Sequence, residues 1–128
     1  MKKYVLVIDD EVDFTFLLKK NLEAAGAFDV TVCNDAAKAV ERARQLRPSL
    51  ILLDIMMPAV GGEEIAVDLK RQKETKDIPV VFLTSLVREE EAAEGSHVIG
   101  GQMFVAKPVK IQELVAVIEK VTSGPPAR

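Results

Sequence analysis

The chain has no tryptophan, one histidine (His97), one tyrosine (Tyr4) and one cysteine (Cys33) in 128 residues. A single cysteine excludes an internal disulfide, so the fold has to be held by a core. His97 has no second imidazole to join it as a metal ligand and reads as a loop or surface residue, and Cys33 as a small core residue. Positive charge is not in excess: 17 Lys and Arg face 20 Asp and Glu, a net charge of -3, which argues against direct nucleic-acid binding by this domain. No apolar run approaches the ~20 residues of a membrane span. There is no Gly-rich phosphate loop, so a bound nucleotide is not expected. No repeat or low-complexity stretch interrupts the chain. Met1-Lys2-Lys3 is followed too soon by Asp9 and Asp10 for a secretion signal, and together with the missing disulfide this points to the cytoplasm. What remains is one globular domain, 48% hydrophobic and 29% charged, long enough to bury about two thirds of its unfolded surface.

The apolar residues come in short runs. Leu50-Ile51-Leu52-Leu53 and Tyr4 to Ile8 read as strands buried on both faces, as in a parallel sheet. Asp29 to Cys33, Val80 to Leu83 and Gln102 to Ala106 read as three more strands. Helical spacing falls between them. Phe14, Leu17, Leu18, Leu22 and Ala25 share one face, then Ala39, Val40, Ala43 and Leu46, then Ile65, Ala66 and Leu69 in a helix from about Glu63 to Glu74. Ile111, Leu114, Val115 and Ile118 mark a last helix, while Val87 to Glu94 is a weaker one whose Glu89-Glu90-Glu91 run reads as a solvated face. Five strands alternating with five helices predict a single α/β domain, a doubly wound, flavodoxin-like, five-stranded parallel sheet in the order 2-1-3-4-5.

That order brings chemistry together. Ligands bind beyond the carboxyl ends of strands in such sheets. Strand one ends in Asp9-Asp10-Glu11, strand three in Asp54, strand four in Thr84-Ser85 and strand five in Lys107-Pro108. Close carboxylates repel by about 4 kcal/mol per pair at ~4 Å and an effective dielectric of ~20, so they either keep a proton or hold a cation. Carboxylate oxygens without His or Cys suit Mg²⁺, which keeps waters and takes phosphate oxygens. Lys107 adds a phosphate-binding charge and Thr84 a hydroxyl. A carboxylate nucleophile, Mg²⁺, lysine and hydroxyl are the components of phosphoryl transfer.

These residues resemble the receiver domain of bacterial response regulators: Asp9-Asp10 after Val5-Leu6-Val7-Ile8, Asp54-Ile55-Met56-Met57-Pro58 with Gly62, Thr84-Ser85, and Phe104 ahead of Lys107-Pro108. The resemblance covers residues 4 to 121 and places the receiver at 1–122, with 123–128 as a tail or the start of a linker. It implies two-component signalling, with Asp54 taking a phosphoryl group from a sensor histidine kinase or phosphotransfer domain. It implies Mg²⁺ held by Asp10, Asp54 and the backbone carbonyl of Met56, with Asp9 acting through water. Thr84 and Lys107 would bind the phosphoryl oxygens, Phe104 would be the switch aromatic, and Met56 and Leu86 would flank the hydrolytic water and tune dephosphorylation. A receiver of this kind catalyses only its own phosphorylation and dephosphorylation; it controls an output partner left unspecified and leaves room for a phosphorylation-dependent dimer.

Gly61 stands where the family often has an acidic residue or Asn, and Gly95-Ser96-His97-Val98-Ile99-Gly100-Gly101 replaces the usual lead into strand five. The second departure weakens assignment to the large DNA-binding subfamily whose receivers dimerise through that face. Phosphohydrolases of the haloacid-dehalogenase type use a similar toolkit, but their nucleophile belongs to an Asp-x-Asp on strand one. Here Glu11 stands two residues after Asp9.

Overall fold

In the computed structural model, which describes residues 2–26, 28–58, 60–85, 96–99 and 102–122, strands and helices alternate along the chain. They run β1 (Lys3–Ile8), α1 (Val12–Ala25), β2 (Phe28–Cys33), a 3-10 turn (Ala36–Lys38) leading into α2 (Ala39–Leu46), β3 (Leu50–Asp54), α3 (Gly62–Arg71), β4 (Val80–Thr84), β5 (Ser96–Ile99), β6 (Gln102–Ala106) and α4 (Ile111–Thr122). The five expected strands are parallel and stand in the expected order, written here β2-β1-β3-β4-β6. One element was not foreseen. Ser96–Ile99 forms a sixth, antiparallel strand on the outer edge of β6, with His97 opposite Phe104, so His97 belongs to a strand and not to a loop. Four residues of mixed character flanked by glycines carry no clear period, and pairing with β6 decides the matter. The expected helix over 87–94 and the tail over 123–128 lie outside the described residues.

The sheet is apolar on both faces, and alternation divides the core in two. Val5, Val7, Leu50, Leu52, Val81, Leu83 and Val105 face Leu18 and Leu22 of α1 and Leu114, Val117 and Ile118 of α4. Leu6, Ile8, Ile51, Leu53 and Phe82 face Ala39 and Ala43 of α2 and Ile65 and Leu69 of α3. The small alanines of α2 let that helix lie close to the sheet. The helical faces are narrower than the spacing predicts. Leu17 and Leu46 are exposed, and so is Ala25 near the end of α1, whereas Thr15 is buried in α1 with its hydroxyl bonded back to the carbonyls of Glu11 and Val12. α3 stops at Arg71, three residues short of expectation, and a turn follows in which the buried Thr75 hydroxyl donates to the Leu69 carbonyl at 2.6 Å.

Candidate functional site

Parallel register sets the site. Ile8 is aligned with Leu53, so Asp9 comes abreast of Asp54, the last residue of β3. Asp54 is aligned with Leu83 of β4, and Thr84 with Ala106 of β6, one residue before Lys107. The Lys107 backbone N–H donates to the Thr84 carbonyl at 2.9 Å, which extends the ladder to the lysine; the Lys107-Pro108 peptide is cis. Asp9, Asp54 and Thr84 are all buried, at 0%, 4% and 4% exposure. Burial at that level separates them from ordinary turn carboxylates, which sit in water.

Asp9 is fixed by its surroundings. Its N–H donates to the Cys33 carbonyl (3.2 Å), its carbonyl accepts from Asn34 Nδ2 (2.7 Å), and its Oδ1 accepts from the Glu11 N–H (2.9 Å). Its Oδ2 is buried and has no directed hydrogen bond among the described residues, although Lys107 Nζ stands 2.8 Å away. Asp54 Oδ1 accepts from the Met56 N–H at 3.2 Å, and Asp54 Oδ2 lies 3.7 Å from Lys107 Nζ. Burial raises the Asp54 pKa above the ordinary carboxylate value. The Met56 N–H works against that, Asp9 adds to it, Lys107 opposes and Asp10 adds again. For Lys107 burial alone would favour the neutral amine. Its close ion pairs with Asp9 and Glu11 more than offset this, and its pKa ends above the usual lysine value.

One carboxylate was missed. Oxygens of Asp9, Glu11 and Asp54 lie within 4.8 Å of one another, and Glu11 Oε1 is 2.6 Å from Lys107 Nζ. Asp10, chosen from the sequence, is half-buried and stands outside this group. The signal was present in the run Asp9-Asp10-Glu11. Which of the three turns inward depends on how the chain leaves β1 for α1, and spacing does not say. The donor set fits Mg²⁺: it is all carboxylate oxygen, with two of the three groups buried. Asp9 and Asp54 would hold such an ion, with Glu11 or Asp10 completing the set.

Met56 is exposed while its neighbour Met57 is buried against α3, so the loop after β3 turns the Met56 backbone to Asp54 and its side chain to solvent. Gly62 opens α3 against the backbone of the same strand end: a Cβ there would collide with the Asp54 carbonyl oxygen and sit 2.8 Å from Ile55 Cα. Phe104 is half-buried and stacks on Phe82, ring centroids 5.2 Å apart. Leu86 lies outside the described residues.

Comparison with known proteins agrees with this geometry. The family model for the response regulator receiver domain matches residues 5–119. The chain is 38% identical over 112 residues to the DNA-binding dual master transcriptional regulator RpaA of Synechocystis sp., covering 88% of this chain and 46% of that protein. It is 36% identical over 121 residues to the phosphate regulon transcriptional regulatory protein PhoB of Escherichia coli, covering 94% and 52%. The chain thus spans about half the length of these curated relatives. The first of them is described as DNA-binding. Among solved structures, the chemotaxis protein CheY4 of Vibrio cholerae superposes with a TM-score of 0.78 at 26% identity, covering 94% of this chain and 99% of that one.

Proposed function

This chain belongs to the response regulator receiver domain family, and from that premise we propose that Asp54 is its phosphoacceptor, serving a sensor histidine kinase or phosphotransfer domain as donor. The observation that carries the proposal is Asp54 itself: a buried carboxylate whose Oδ2 faces Lys107 at 3.7 Å and whose neighbours are Asp9 and Glu11. Mg²⁺ would be held by Asp9 and Asp54 and would supply charge neutralisation for the carboxylates and the phosphoryl group. The Asp54 oxygen attacks phosphorus as the bond to the donor's leaving group breaks. Lys107 and the Thr84 hydroxyl bind the equatorial oxygens, and the Met56 N–H holds Asp54 in one rotamer. Asp10 or Glu11, with the Met56 carbonyl, would complete the metal set.

The phosphorylated site switches the surface around Thr84, Phe104 and Lys107. Thr84 moves toward the new oxygens, and Phe104 turns further inward beside Phe82. The domain spans 1–122, with 123–128 as a tail or linker. It catalyses only its own phosphorylation and dephosphorylation. It controls an output protein or domain and has no nucleic-acid contact of its own; the relative described as DNA-binding is about twice as long. A cytoplasmic setting goes with this reading, since the buried Cys33 thiol stays reduced there. Among the described residues no helix is long and apolar enough to cross a membrane.

The test separates acceptor from hydrolase. The protein is incubated with Mg²⁺ and acetyl phosphate, then with p-nitrophenyl phosphate. One phosphoryl group per chain from the first and no turnover of the second is expected. Multiple turnover of the ester would replace the reading with a haloacid-dehalogenase-like phosphohydrolase, which no observation here favours.

A further inference from the structure

In the resting site Lys107 is not placed for Asp54. Its ammonium lies 2.6 Å from Glu11 Oε1 and 2.8 Å from Asp9 Oδ2, but 3.7 Å from Asp54 Oδ2. It also stands over the Phe14 ring, 4.4 Å from the centroid. Glu11, Asp9 and Phe14 all come from the β1–α1 side. The lysine is thus drawn toward the start of α1, and the acceptor is the most distant of its three anions. We infer that the Glu11 side chain is a positioning residue that holds Lys107 away from Asp54 until a phosphoryl group arrives and draws the lysine across. The inference rests on the reading of Asp54 as acceptor.

Other features of Glu11 agree. It is the N-cap residue of α1, yet its side chain makes no capping hydrogen bond; its backbone carbonyl serves the helix instead, accepting from the Thr15 N–H at 3.0 Å. The carboxylate is therefore not committed to the helix, and among the described residues its side-chain hydrogen bond is the one from Lys107 Nζ. Glu11 is 61% exposed, whereas Asp9 on the other side of the lysine is fully buried. An exposed carboxylate binds an ammonium weakly and is rehydrated readily on release, while a buried one is not. Of the two anions that hold the lysine, Glu11 is the one able to let go. A phosphoryl group brings close to two negative charges and three acceptor oxygens to the Asp54 side and outcompetes it. The first turn of α1 thereby sets how far the site is biased toward rest.

The test reads the lysine directly. The ¹³Cε and ¹⁵Nζ resonances of Lys107, assigned by their loss in Lys107→Met, are followed in wild type, Glu11→Gln and Glu11→Ala. They are recorded ligand-free and then on titration with beryllofluoride at saturating Mg²⁺. In both Glu11 variants the ligand-free resonances should move toward their beryllofluoride-bound wild-type position. The half-saturating concentration should fall about twofold to fivefold, the range that loss of one exposed ion pair represents. Unmoved resonances, or unchanged or weaker binding in both variants, would overturn the inference. If wild type takes no beryllofluoride, the acceptor reading fails, and the ligand-free Lys107 resonances alone decide whether Glu11 holds the lysine.

Discussion

Gly62 lies against the backbone of Asp54 so closely that a single added carbon would collide with the Asp54 carbonyl oxygen, while its own N–H donates to the Ile55 carbonyl at 3.2 Å. The start of α3 is thus part of the support that fixes the acceptor strand end. Gly62→Ala should destabilise the protein by about 1–3 kcal/mol, the usual range for forced overpacking. It should also move the amide resonances of 54–56. Gly61 has open space around its Cβ position and an extended backbone, so Gly61→Ala should stay within about 1 kcal/mol of wild type. Urea unfolding of the two variants side by side checks this; equal losses would show that the close approach is not what matters.

The raised pKa of Asp54 has a definite sign. A folded-state value above the unfolded one means that the ionised side chain penalises the folded state. The penalty is present above the raised value and disappears as pH falls below the unfolded carboxylate value of 3.8. Without Mg²⁺, Asp54→Asn should therefore be more stable than wild type at pH 7, and the difference should narrow as pH falls toward the carboxylate range. Millimolar Mg²⁺ should narrow it at pH 7 as well, by stabilising wild type alone. Chemical unfolding from pH 7 to 4.5, with and without the metal, reads all of these.

At the opposite edge of the sheet, Lys19 and Glu23 on one face of α1 clamp Val30 of β2. Glu23 Oε2 accepts from the Val30 N–H at 3.0 Å, Lys19 donates to the Val30 carbonyl, and the two side chains pair at 3.0 Å. Those backbone groups point away from β1, so the clamp covers part of a free strand edge. The Val30 N–H, with help from Lys19, lowers the Glu23 pKa below its ordinary 4.5. Its contribution is present above that ordinary value and lost as pH falls through the lower folded one. Glu23→Gln should cost about 1 kcal/mol at neutral pH, and the cost should fade as pH falls below the ordinary value of 4.5 and through the lower folded one. A pH-independent difference would mean that packing, not charge, is at work.

Met56 presents an exposed thioether beside the acceptor, unable to hold a water by a strong hydrogen bond. By the family resemblance this position would flank the hydrolytic water, and slow loss of phosphate is expected. Met56→Asn supplies a polar group there and should speed release roughly tenfold, with Leu86→Glu acting in the same direction. Single-turnover phosphate release decides; decay of wild type within seconds would contradict it.

The fold was legible because β1 and β3 are near-continuous apolar runs and each strand of the site ends in a polar residue. Four of those, Asp9, Asp54, Thr84 and Lys107, come to adjacent strand ends as the topology requires. What the sequence did not disclose depends on geometry finer than periodicity. Leu17 and Leu46 have the right spacing for a core face but fall at its margin, where the sheet does not reach. Asp10 and Glu11 are adjacent acids of the same charge, and only the turn into α1 decides that Glu11 meets Lys107. The antiparallel Ser96–Ile99 strand has no pattern of its own and exists by pairing with β6.

The most direct measurement is the intact mass of the protein after incubation with Mg²⁺ and acetyl phosphate, taken for wild type and for Asp54→Asn. A single phosphoryl group on wild type, dependent on Mg²⁺ and absent from Asp54→Asn, is the predicted result. Equal labelling of Asp54→Asn, or labelling of wild type that persists when the metal is removed, would contradict the assignment of Asp54 as acceptor in a carboxylate metal site.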